Sequence, residues 1–131
     1  MNAKRVVQGF AVFDLAVTGL FAVPGSAILL LDMLDVLDRV LVLGTGFGGA
    51  INQTTLAFAN IMGVLGVIWA MIRLKSPSFE MARIDAWGRL AVALILIWHL
   101  WAGLPMIFAL FVATELIGTA AQLALRRENF I

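Results

Sequence analysis

Apolar residues run through this chain in long stretches, not in the narrow stripes of a soluble amphipathic helix. Crossing a bilayer takes about 20 apolar residues at a rise of roughly 1.5 Å each. Four stretches approach or meet that length: residues 6–23, 55–74, 84–101 and 105–125. The first is interrupted only by Gln8, Asp14 and Thr18 and ends at Pro24-Gly25, because proline withholds an N–H from the preceding turn. Ser26 can then N-cap a further helix over 27–43. That segment carries Asp32, Asp35, Asp38 and Arg39, so its acids fall on one stripe, as in a helix lying on a membrane surface. The run from Gly44 to Gly49 reads as a flexible turn. Arg73 and Lys75 close the second span, Ser78 is the N-cap of the third, and Ala102–Pro105 is a tight hairpin with proline opening the fourth. The pattern predicts an all-α membrane protein in a single domain over 1–131. Its architecture is a four-transmembrane-helix bundle with one outer interfacial amphipathic helix after the first span.

Composition strengthens this reading. The 131 residues are 63% hydrophobic and 13% charged, with a mean hydropathy of +1.04. A soluble domain this small keeps too much surface to hide that quantity of apolar side chain from water. A net charge of +1 excludes the concentrated basic surface that nucleic acid requires. The absence of cysteine excludes disulfides and thiolate chemistry.

The cations set the orientation. With four spans, one side of the membrane holds Lys4, Arg5, Arg73, Lys75, Arg83, Arg89, Arg126 and Arg127, and the other only Arg39. The positive-inside rule then puts both termini in the cytoplasm. Trp69 and Trp87 fall near the inner boundary and Trp98 and Trp101 near the outer, as interfacial belts. Lys4-Arg5, the apolar run and Gly25-Ser26-Ala27 imitate a secretory signal peptide, but Asp14 breaks the apolar core and the segment is read as a span.

Ionisable and amide groups inside spans are costly, so they point to function. Asp14, Asn60, His99 and Glu115 are the candidates for a ligand or proton site. The helical rise puts Asp14 about 12 Å in from the cytoplasmic end and Glu115 roughly 15 Å from either end. Asn60 lies about 8 Å, and His99 about 3 Å, below the outer boundary. Two carboxylates sharing one low-dielectric layer would not both stay ionised, which suits proton exchange, acid/base work or a cation partner. The structural alternative is that these groups only tie helices together, at about 0.6 kcal/mol each. Arg89 is read as pairing with Asp85 at i,i+4 and snorkelling to the cytoplasmic surface.

Other motifs fall away. Gly44, Gly46 and Gly49 match G-x-G-x-x-G, but no strand precedes them and no βαβ unit follows, so no nucleotide cofactor is expected. Asp32, Asp35 and Asp38 lack the number and spacing of an oxygen cage and read as a solvated acidic face. His99 alone is a poor zinc or iron site, so no metal is expected. Asn52-Gln53-Thr54 fits a glycosylation sequon at the membrane entry, where modification is not expected.

Phe13-Asp14-Leu15, Asn60-Ile61-Met62-Gly63, Ile84-Asp85-Ala86-Trp87-Gly88-Arg89 and Glu115-Leu116-Ile117-Gly118 stand in an order of elements that resembles the small bacterial four-helix membrane proteins of the DoxX-like kind. The resemblance covers most of the chain. It implies a bacterial inner-membrane protein with one span, an outer surface helix and three more spans, and implies no reaction.

The leading expectation is a non-enzymatic membrane bundle, either an accessory subunit or a binder of an apolar ligand such as a lipid or quinone. Its partners would be membrane lipids and either further copies of itself or another membrane protein. The alternatives are an intramembrane acid/base enzyme on a lipid-like substrate, with His99 and Glu115 as the catalytic candidates and Asp14 tuning them, and a proton- or cation-conducting oligomer.

Overall fold

The computed structural model describes residues 2–41, 44–48 and 51–130. It consists of α1 (Ala3–Ala22), α2 (Pro24–Leu41), α3 (Gln53–Lys75), α4 (Phe79–Trp101) and α5 (Ala109–Leu123). A 3-10 turn, Met106–Phe108, leads into α5, and another, Arg127–Phe130, follows it. No strand occurs among the described residues. Four helical segments are long and apolar enough to cross a membrane: Ala3–Ala22, Gln53–Lys75, Phe79–Trp101 and Met106–Leu123. The end of the expected helix over 27–43 and Gly49 of the glycine run lie outside the described residues.

The helices start where local chemistry permits. Asn2, Asn52 and Ser78 are side-chain caps, accepting from the backbone N–H groups of Lys4, Thr55 and Met81. The second helix begins at Pro24, ahead of the expected Ala27, and Ser26 is not its N-cap. Proline has no N–H to lose and a φ already suited to a first turn, so the chain turns on Val23 alone. Ser26 Oγ instead donates back to the carbonyls of Leu20 (2.7 Å) and Val23 (3.2 Å), closing the end of α1.

Burial is inverted relative to a soluble bundle. The fully enclosed positions are mostly alanines, Ala3, Ala11, Ala70, Ala82, Ala86 and Ala93 among them, while Phe58, Leu65, Trp98 and Trp101 stand in the open. Small residues inside and large apolar ones outside is how helices pack when the surrounding solvent is lipid.

The spans associate as two pairs, α1 along α3 and α4 along α5. Gly63 lets α3 reach the backbone of α1: a Cβ there would lie 2.3 Å from the Ala22 nitrogen. One turn on, a Cβ at Gly66 would lie 2.5 Å from the Thr18 methyl. Gln8 Nε2 donates to the Leu74 carbonyl across the same seam. In the second pair, Thr119 Oγ1 donates to the Ala86 carbonyl on α4. Backbones approach far less closely between the pairs, and long side chains occupy that space.

The acidic stripe of α2 is not a solvated face. Asp38 is 1% exposed and accepts from the backbone N–H groups of Gly46 (3.1 Å) and Ile107 (2.9 Å). Asp35 accepts from Phe47 N–H (2.6 Å) and pairs with Arg39. Only Asp32 of the three is exposed. The outward side of α2 is instead apolar, through Leu29, Met33, Val36 and Val40. The glycine segment is thus tied down where it is described. A Cβ at Gly44 would overlap the Asp38 carboxylate, and Gly46 has φ +72°, where side chains are strained. Phe47 stacks on Phe108, which stacks on Phe111, extending this cap over the start of α5.

Candidate functional site

The stripe of α3 that carries Leu56, Gly63 and Ala70 continues to Arg73, and the buried face of α4 runs Ala82, Asp85, Ala86, Arg89, Ala93. On α5 the inward residues are Val112, Glu115, Gly118, Thr119 and Gln122. Asp14 completes the set from α1. These faces converge on the gap between the helix pairs, in the half of the bundle nearer the termini. They fill the gap with charge.

Arg89 is the hub. Its three guanidinium nitrogens reach three different carboxylates: Nε to Asp85 Oδ2 at 2.9 Å, Nη1 to Glu115 Oε2 at 3.1 Å, and Nη2 to Asp14 Oδ2. Arg73 binds two of the same acids, Asp85 Oδ2 at 2.7 Å through Nη1 and Asp14 Oδ2 at 2.5 Å through Nη2. The two arginines and two aspartates therefore close a ring, with Glu115 appended. Asp85 is the most heavily used acceptor. Gln122 Nε2 also donates to its Oδ2 (2.5 Å) and Trp69 Nε1 to its Oδ1 (2.7 Å). The Phe10 ring lies under the Arg89 guanidinium, 5.2 Å from Cζ, and the Trp69 ring 5.8 Å from that of Arg73. Gly118 leaves room for the Arg89 stem, which a Cβ would meet at 2.9 Å. The two arginines and Asp85 are 5% exposed or less, and Asp14 and Glu115 are slightly open, at 17% and 19%.

All four of the long apolar helical segments contribute, so the network bridges α1/α3 to α4/α5. Every carboxylate meets a guanidinium, which is how charge is tolerated away from water. The balance is uneven, with two guanidiniums against three carboxylates. Two buried atoms keep an unused valence: Arg73 Nε as a donor and Gln122 Oε1 as an acceptor.

The expected site residues separate. Asp14 and Glu115 come together, but through Arg89, so the pair is joined by a cation between them. Asn60 is elsewhere. Its Nδ2 donates to the Phe21 carbonyl at 2.7 Å, a backbone tie between α3 and α1. His99 is exposed and makes no side-chain hydrogen bond among the described residues. It lies ten residues beyond Arg89 on α4, an axial offset of about 15 Å from the hub that holds Glu115. Arg89 does pair with Asp85 but does not snorkel; it turns into the bundle. Trp69, expected in an interfacial belt, likewise turns its N–H inward.

The sequence does not mark Arg73, Gln122 or Trp69 as site residues, and it puts the Asp85–Arg89 pair at the membrane surface and not at the centre of a network. Arg73 and Arg89 sit near span ends, where cations ordinarily reach for headgroups. The available signal was register. Arg73 continues the Gly63–Ala70 stripe, and Arg89 lies between Ala86 and Ala93, faces that only the interior fills.

Beside the network a lateral groove of about 350 Å³ opens between α1 and α5. Gly9, Phe10, Phe13, Thr114 and Ile117 line it, with Arg5 and Val6 toward its terminal end. Phe10 is shared, one part lining the groove and its ring facing Arg89. Compared with protein families, curated proteins and solved structures, the chain shows no match to any.

Proposed function

We propose that this protein is an integral membrane bundle that binds an apolar, lipid-like molecule in the groove between α1 and α5, held in shape by the buried ion network. The observation that carries the reading is the groove itself. At about 350 Å³ it is at the small end of the roughly 300–1,000 Å³ of ligand sites. It is walled by aromatic and aliphatic side chains and opens sideways, where lipid chains would be. The network gives the two helix pairs a fixed separation, so the groove between α1 and α5 is pre-formed.

The remaining expectations belong to this proposal. Four spans with the cations of 4–5, 73–89 and 126–127 on one side put both termini in the cytoplasm of a bacterial inner membrane. The helix α2, with an apolar outward face and exposed Asp32 and Arg39, lies in the opposite interface. The resemblance to DoxX-like proteins rests on its sequence segments alone. Association with further copies or with a partner membrane protein fits the accessory-subunit form of the same reading.

The test is isolation from native membranes in mild detergent, followed by mass spectrometry of the intact protein. A bound lipid or quinone is expected, and Gly9→Leu should displace it. Gly9 has open space at its Cβ position, so leucine there fills the groove without a clash at Cβ. A bare wild-type chain would overturn the proposal.

One observation favours a second reading, proton exchange. The third carboxylate has no guanidinium of its own, and Glu115, bound by the single Arg89 contact, is the least constrained member. Proton flux into vesicles carrying the protein should then depend on Glu115, and flux unchanged in Glu115→Gln would remove this reading. The acid/base enzyme has no such support, because His99 does not reach Glu115.

A further inference from the structure

The groove has one feature that a purely apolar binding site would not need. Among its lining residues the only formally charged side chain is Arg5, and it stands at the end of α1 where the chain enters the membrane. Arg5 makes no ion pair and donates no side-chain hydrogen bond among the described residues. Lys4 and Lys75 are likewise unpaired among the described residues, but neither lines the groove. Arg126 and Arg127 meet Glu128 and Glu80, and Arg83 covers the Phe79 ring and donates to the Leu123 carbonyl. The nearest carboxylate along α1, Asp14, is held by Arg73 and Arg89 inside the bundle. The groove therefore has one end that is cationic and uncompensated, and a wall that is apolar.

The dimensions match this polarity. From Arg5 to Phe13 the α1 wall advances eight residues, about 12 Å along the helix axis. Gly9 lies midway on this wall with nothing within 4 Å of its Cβ position, so the wall is recessed there. Phe10 and Phe13 from α1, with Thr114 and Ile117 from α5, enclose the part beyond. A cation at the mouth and a trough leading from it toward the bilayer interior complement a molecule with an anionic head and an extended hydrocarbon chain.

Resting on the ligand-binding reading above, we infer that the groove selects an anionic phospholipid, with Arg5 binding the phosphate headgroup and one acyl chain lying over Gly9 against Phe10 and Phe13. The opposing charges meet at the membrane surface, where one basic residue strengthens attachment to an anionic headgroup by roughly fivefold. The acyl chain contributes apolar contact that does not depend on headgroup charge. Selectivity and affinity thus come from different ends of the groove and can be separated by substitution.

The experiment titrates the delipidated full-length protein, in mild detergent, with phosphatidylglycerol and with phosphatidylcholine of identical chains, reading bound lipid by native mass spectrometry. The wild type should prefer phosphatidylglycerol by about fivefold at low ionic strength, less at high salt. Arg5→Gln should bring the two lipids to parity without abolishing binding, and Lys4→Gln, one residue away and outside the groove, should leave the preference in place. Gly9→Leu should reduce binding of both lipids, with circular dichroism showing that the helices persist. Equal binding of the two lipids by the wild type overturns the headgroup assignment while leaving the groove as a lipid site. A loss in Lys4→Gln as large as in Arg5→Gln overturns it too, since general surface charge would then explain the preference. Binding of neither lipid, or binding indifferent to Gly9→Leu, removes the ligand-binding reading itself.

Discussion

Replacing Arg89 by methionine tests the ion network most directly, because one side chain satisfies three acids. Methionine keeps the length and apolar volume of the arginine stem, so the packing against Gly118 is largely retained, while the cation over the Phe10 ring is lost. The change removes the contacts to Asp14, Asp85 and Glu115, leaving Asp14 and Asp85 to Arg73 and Glu115 with no cation partner. Removing one partner of a buried pair costs about 3–5 kcal/mol, since the other charge stays behind without compensation. Three such charges share the loss here, and about 3 kcal/mol is a conservative figure for the destabilisation. Charge counting predicts a contrasting result for Glu115→Gln. That variant leaves two guanidiniums with two aspartates, and the glutamine carbonyl can still accept from Arg89 Nη1. Its stability should stay within about 1 kcal/mol of the wild type, in either direction. Lysine at 89 should recover only part of the loss, because an ammonium cannot present three donors to three acids in the planar fork of a guanidinium. The assay is reversible denaturation in mixed micelles followed by circular dichroism. Trp69 fluorescence, read with Trp87, Trp98 and Trp101 replaced by phenylalanine, serves as a local reporter, because its N–H bonds to Asp85. A loss below about 1 kcal/mol in Arg89→Met would refute the reasoning. So would a Glu115→Gln variant as unstable as Arg89→Met.

Further expectations rest on single contacts. Gly63→Leu should disrupt the α1/α3 pair, since even a Cβ there meets the Ala22 backbone at 2.3 Å; lowered helix content or aggregation on size exclusion would show it, and a normally folded variant would contradict it. Asp38→Ala leaves the N–H groups of Gly46 and Ile107 without their acceptor, at about 1–3 kcal/mol for each buried group; hydrogen exchange at those two amides should rise while α3 and α4 stay protected. Asn60→Leu should cost only about 0.6 kcal/mol, the usual worth of one interhelical hydrogen bond in a membrane, and leave lipid binding intact. Because the chain has no cysteine, single cysteines placed at Asn2 and Asn129 can report sidedness: both should react with a membrane-impermeant thiol reagent only after the inner face is opened.

The sequence by itself determined that the chain is helical, where its four spans lie, and that its polar intramembrane residues are few. Hydropathy over a window of about 20 residues is a property of one segment, and in lipid each segment must satisfy its backbone within its own helix. The partners of the charges could not be read that way. Whether Arg73 and Arg89 reach for headgroups or turn inward depends on the rotation of α3 and α4 and on the pairing of α1 with α3 and α4 with α5. Two spans that pair closely can lie far apart along the chain, and no local pattern encodes their mutual rotation. The tertiary structure decided that Asp14 and Glu115 meet through an arginine, that Asn60 serves the backbone, and that His99 stands apart. It also placed Asp35 and Asp38 of α2 under the glycine turn, because the N–H groups of a turn attract a carboxylate that has little water near it. The groove between α1 and α5 has the same origin: it exists because two helix pairs are held apart by the side chains between them.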